Sequence, residues 1–180
     1  MVDVTRQIYR SNVLIQLSKN AIQFLENTPK HSLPVPGTFY GPGVYALYYT
    51  GDHPKYRAIS SGVKPIYVGK AVPTGWRTGS ISRKNEPKLK SRLSEHARSI
   101  EHANNLDVSD FQCRFIIVPP EDAAIISVIE STLISSYRPI WNTTIDGFGN
   151  HDPGSGRYNQ AKSQWDLLHQ GRPWVNKLTG

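Results

Sequence analysis

The chain has 180 residues, 38% of them hydrophobic and 10% aromatic, and carries a net charge of +7. That size and composition favour one domain with its own core and exclude a disordered chain. No apolar run approaches the roughly 20 residues a membrane-spanning helix needs, and the lone Cys113 excludes a disulfide framework or a cysteine-rich zinc site.

The first residues, MVDVTRQIYRSN, lack the basic-then-apolar pattern of a secretory signal, so a cytoplasmic protein is expected. From Ser11 to Asn27 the spacing of Leu14, Leu17, Ala21, Phe24 and Leu25 predicts a helix, which Thr28-Pro29 stops. The proline- and glycine-rich stretch HSLPVPGTFYGPG is an irregular connector. Two strands follow, Gly43 to Thr50 and Pro65 to Gly69, separated by the turn Gly51-Asp52-His53-Pro54 and a loop. Pro73 to Pro87 reads as a surface loop. A helix from Lys88 to about His102 would bury Leu89, Leu93, Ala97 and Ile100. Phe111 to Val118 is a third strand, ended by Pro119-Pro120. Glu121 to Tyr137 is a second long helix, with acids in its first turn and Ile125, Ile129, Leu133 and Tyr137 along one face. From Trp141 onward the chain is mostly irregular, with one short helix near Gln160 to Leu168. The expected fold class is α+β: a small three-stranded, mainly antiparallel sheet flanked by helices. It is expected as a single domain: an N-terminal helix and connector (1–40), a core (41–142) and a C-terminal extension (143–180).

The charge is concentrated. Between Lys64 and Arg98 lie nine of the 21 Lys/Arg and two of the 14 Asp/Glu, so the rest of the chain holds twelve of each sign. A polyphosphate partner selects for such a segment, and so does a solubilising basic face. Within it, Lys88, Arg92 and His96 stack at four-residue spacing on one helical face, where an anion opposite would relieve their repulsion. In the second helix the interior holds one charged residue, Glu130, between Ile126 and Ile134. A half-buried carboxylate there needs a cation, either an arginine or a hard metal ion such as Mg2+. Tyr45 and Tyr67, on neighbouring strands, have core packing as their default role.

Taken together, Gly43-Val44-Tyr45, Tyr67-Val68-Gly69, the Arg92 to His96 helix, Glu130 and then Asn142 resemble, in order, the motif set of the GIY-YIG nuclease family. Each tripeptide carries Val where the family name has Ile. GVYALYYTG, PIYVGKAVPTGWR, RLSEHARSI, WNTTIDGFGNH and GSGRYNQAKSQWD extend the likeness to the type II restriction endonuclease branch. That branch is similar to enzymes cutting a GC-rich six-base palindrome such as CCGCGG.

The resemblance implies a Mg2+-dependent endonuclease for double-stranded DNA, with Mn2+ as a substitute metal, acting in the bacterial cytoplasm as a homodimer. It assigns Tyr45 to the attacking water, as general base or through a water contact, with its phenol pKa lowered by cationic neighbours or the metal, or its proton taken by His96. Arg92 would hold the scissile phosphate, Glu130 the metal and Tyr67 the phosphate or water, while Asn142 maintains the geometry. Lys70 adds a phosphate or water contact. DNA contacts are expected in two stretches: Trp76, Arg77, Arg83 and Lys84, and Asn150, His151 and Arg157. Consistent with one metal on one carboxylate, the chain has no clear His-Asn-His arrangement. Two alternatives stand beside this: a structure-specific or nicking nuclease of the same family, and a DNA-binding module without catalysis.

Overall fold

The computed structural model describes residues 5–9, 11–80 and 86–180, apart from the side chains of Asn12 and Arg77. Its centre is strand β2, Gly43–Tyr49, which is buried along its whole length. Burial on both faces explains why GVYALYY reads as a continuous apolar and aromatic run rather than an alternation. β2 pairs antiparallel with β3, Pro65–Ala71, on one side and with β4, Phe111–Ile117, on the other. A two-residue strand β1, His31–Ser32, pairs with the outer edge of β4, so the sheet has four strands in the order β1-β4-β2-β3. The expected three-stranded sheet thus gains an edge from inside the connector, where two residues before Leu33-Pro34 offer no periodicity to read.

Alternation along β2 divides the interior in two. Val44, Ala46 and Tyr48 face an aliphatic cluster with Ala21 and Leu25 of α1, Asn12–Asn27, and Ile126, Ile129 and Leu133 of α3, Ile126–Tyr137. Tyr45, Leu47 and Tyr49 face Leu89, Leu93, Ala97 and Ile100 of α2, Lys88–Glu101, together with Trp141, Phe148 and Trp165. The C-terminal segment is therefore built into the core: Trp141 and Trp165 are among the largest fully buried side chains.

Two helical expectations change. The stretch expected to open the second long helix is a 3-10 segment, Pro120–Ile125, so Glu121 and Asp122 lie in its first turn and α3 begins only at Ile126. In α1, Leu14 and Phe24 are exposed while Ala21 and Leu25 are buried. The apolar stripe is wider than the surface α3 and the sheet offer it. A short α4, Ile140–Thr143, follows Pro139, and Arg138, in left-handed conformation, turns the chain into it. A last helix α5 spans Gln164–Leu168.

Candidate active site

β2 and β3 pair Tyr45 with Gly69 and Leu47 with Tyr67, which puts the two phenols diagonally on one face of the sheet. Their ring centroids are 6.2 Å apart. Gly69 makes this possible: a Cβ there would lie 2.4 Å from the Tyr45 hydroxyl and 2.9 Å from the Tyr67 ring. The glycine of the second half-motif is thus the floor on which the first tyrosine lies.

α2 then brings two groups, one turn apart, over these rings. His96, buried, places Nε2 2.6 Å from the Tyr45 hydroxyl. Phe148 stacks on the imidazole at 4.5 Å and 20°. Arg92, with a side chain 19% exposed, donates from Nη1 to Glu95 at 3.0 Å and from Nη2 to the Gly149 carbonyl at 2.9 Å. Nη1 also meets the ring of His151. The backbone can come this near because residue 149 is glycine: a Cβ would stand 2.6 Å from the Tyr67 hydroxyl.

Glu130 enters from the opposite side of the sheet, at the free edge of β3. Its carboxylate forms a 2.7 Å ion pair with Lys70, whose ammonium also donates to Ser127 at 3.2 Å. Asn142 lies behind the same edge. Its side-chain amide accepts from Val68 N and donates to Val68 O, both at 2.8 Å. One side chain thereby satisfies the peptide groups that an edge strand leaves open and fixes β3 beneath Tyr67.

Tyr45, Tyr67, Lys70, Arg92, Glu130 and His151 line one open cleft of about 690 Å³. Burial, reinforced by Tyr67, pushes the Tyr45 phenol well above its usual 10.0 against the pull of Arg92. Burial likewise raises Tyr67, with Arg92 opposing and Glu130 reinforcing. Burial drives His96 well below 6.5, and the charge of Arg92 adds to the shift. At neutral pH the pocket holds two protonated phenols and a neutral imidazole. Of the routes expected for this phenol, lowering by the Arg92 guanidinium alone does not operate here, because desolvation outweighs it.

Among the described residues no group of three or more His, Cys, Asp or Glu side chains could cage a metal. A hard ion that keeps its waters needs only one or two protein carboxylates; of the two that line the open cleft, Glu95 is engaged by Arg92, and the carboxylate of Glu130 fits Mg2+.

The remaining expected residues scatter. Lys88 lines the cleft but is held by Glu86 at 3.0 Å. His151, expected among DNA-reading residues, stands against Arg92. Asn150 and Arg157 line a neighbouring hollow of about 450 Å³. Trp76 is half-buried against the aliphatic cluster. Arg77 sits in a short 3-10 turn, Trp76–Thr78, but its side chain lies outside the described residues, as do Arg83 and Lys84 altogether. Sequence reasoning missed Glu95, Phe148 and Gly149. The i,i+3 spacing of Arg92 and Glu95 could have found the first. The other two belong to a loop with no periodicity.

No curated protein matches the chain. A family model does, described as the Eco29kI GIY-YIG domain and matching residues 37–180. The matched span contains both phenols, Arg92, His96, Glu130 and Asn142 as well as the Phe148–His151 loop packed over them, and on that match the chain belongs to the Eco29kI GIY-YIG domain family.

Proposed function

We propose that this chain is a type II restriction endonuclease that hydrolyses double-stranded DNA at a short GC-rich palindrome, with Mg2+ as cofactor and a homodimer as the acting unit. Membership of a restriction-endonuclease-type nuclease family supports the nuclease reading and a DNA substrate. The observation that carries the chemistry is the convergence of Tyr45, Tyr67, Arg92 and Glu130 on one cleft, with His96 hydrogen-bonded behind Tyr45.

The step follows from the protonation states. A phenol held protonated by burial is no base by itself. With a neutral imidazole 2.6 Å behind it, Tyr45 passes its proton to His96 Nε2 as it takes one from the attacking water. The water oxygen bonds to phosphorus and the P–O3′ bond breaks; the leaving 3′ oxygen takes a proton from solvent in the open cleft, giving a 3′ hydroxyl and a 5′ phosphate. Arg92 holds the scissile phosphate and offsets charge growing on its oxygens. Tyr67, whose hydroxyl lies between Tyr45 and Gly149, orients the water or a phosphate oxygen. A Mg2+ held by Glu130 would supply polarisation of the phosphate and charge neutralisation at the leaving oxygen. Lys70, which neutralises Glu130 in the free protein, is released to a phosphate oxygen. Twofold symmetry matches a palindrome, with one cleft per strand. Asn150, His151 and Arg157, together with Arg77, Arg83 and Lys84, remain the candidates for base and backbone contacts.

Digestion of a plasmid of known sequence with Mg2+ tests this. Discrete bands mapping to one GC-rich palindrome are expected. Smearing or nicking alone would favour the structure-specific nuclease, and intact plasmid with duplex binding would favour the non-catalytic module.

A further inference from the structure

A guanidinium is rarely found fully buried, because desolvating the charge is costly unless its donors are met. Arg172, near the C-terminus, has a side chain 1% exposed. Its nitrogens make four hydrogen bonds and an ion pair. Nε and Nη2 contact Asp166 Oδ1 at 2.7 and 2.6 Å. Nη1 donates to the carbonyls of Phe148 at 3.1 Å and Asn150 at 3.2 Å, and Nη2 to that of Gly147 at 3.1 Å. Trp165 and Trp174 lie 4.6 and 4.9 Å from it. Asp166 is in turn held by Ser163, whose hydroxyl donates to Oδ2 at 2.6 Å.

The segment gripped in this way is the one that shapes the cleft. Three of its four carbonyls, those of residues 147, 148 and 150, go to Arg172. The fourth, on Gly149, goes to Arg92. Between these carbonyls Phe148 projects onto His96 and, edge-on, onto Tyr67 at 4.9 Å. Fixing three carbonyls of a four-residue turn leaves the fourth little freedom, and so fixes the direction in which Arg92 is held.

We infer that Arg172 is a positioning residue for Arg92, acting through the Gly147–Asn150 backbone. The geometry demands arginine: a lysine keeps the charge but has three donors on a point and cannot reach the four acceptor atoms set around a fork. The inference rests on Arg92 being the phosphate-holding residue.

The experiment is a double-mutant cycle of Arg172→Lys and Arg92→Lys, measured by single-turnover cleavage at saturating protein, with duplex affinity measured separately in EDTA. Arg172→Lys alone is expected to slow cleavage at least tenfold while duplex affinity stays within about threefold. In the Arg92→Lys background the same change should cost less than threefold, because the residue it serves is already gone. An undiminished rate in Arg172→Lys, or an equal loss in both backgrounds, overturns the inference. If Arg172→Lys is not recovered folded, Trp174→Leu, which loosens the same guanidinium without removing a charge, takes its place under the same criteria. A wild-type protein that cleaves no DNA would instead sink the nuclease reading, and the two failures are thereby distinct.

Discussion

The two faces of β2 are built on different principles. Towards α3, Val44 and Ala46 meet Ile126, Ile129 and Leu133, an aliphatic contact with no hydrogen bonds to satisfy. Towards α2, several rings carry a polar atom with a hydrogen-bond partner. Tyr45 meets His96, Trp141 donates to the Tyr56 hydroxyl at 2.9 Å, and that hydroxyl meets His169, which is held by Asn105 at 2.7 Å. Deleting apolar volume from the first face costs stability. Deleting one oxygen from the second costs orientation, because the partner left behind cannot simply collapse into the gap. The stabilising half and the chemical half of the molecule are back to back on one strand.

Substitutions on the two faces should therefore have crossed effects. The largest is expected for Tyr45→Phe. The phenol's proton relay is lost while its ring still fills the site, so single-turnover cleavage should fall roughly 10²–10⁴-fold with little change in melting temperature. Next, Leu133→Ala opens a cavity in the aliphatic face and should cost about 3 kcal/mol of stability in denaturant unfolding. Well below its lowered melting temperature its cleavage rate should stay near that of the wild type. Equal loss of rate in both variants would erase the distinction between the faces.

The polar face also carries the acid sensitivity. Burial lowers His169 to about 3 and holds His96 well below 6.5. The unfolded chain binds these protons at about 6.5, before the folded chain does. Stability should be full above about pH 6.5 and fall as pH drops towards the depressed values, by up to about 1.4 kcal/mol per pH unit for each histidine. Denaturant titrations at pH 7, 6 and 5 check this; stability rising on acidification would contradict it. The smallest effect is expected for Phe24→Ser, outside both faces. Phe24 is 59% exposed, so unfolding in dilute, monomeric protein should shift by less than about 0.5 kcal/mol.

Much of this site could be read from the chain because its residues sit on regular elements. Tyr45 and Tyr67 fall on strands, Arg92 and His96 one turn apart on a helix, and Glu130 is an isolated acid in an otherwise uncharged helix interior. Periodicity alone predicts where such side chains point. Asn142 needed the resemblance, since a four-residue helix has no pattern of its own. Asn150 and His151 were expected only as DNA contacts, and neither the packing of the Gly147–His151 loop on Arg92 nor the buried Arg172 could be read. Their roles come from carbonyl directions and from contacts between residues far apart in sequence, which no local spacing encodes. For the same reason β1 was invisible, and α1 looked more buried than it is: spacing shows that a helix has an apolar stripe, not how much of that stripe finds a partner.

Cleavage and binding of a cognate duplex by Glu130→Ala, measured in parallel, bear most directly on the convergence of phenols, guanidinium and the Glu130 carboxylate at one phosphodiester. Cleavage should drop to background with Mg2+, while binding of the uncut duplex is retained or tightened, because a negative charge facing phosphate has been removed. Cleavage at the wild-type rate would mean that Glu130 holds no catalytic metal and that the cleft does not work as a unit.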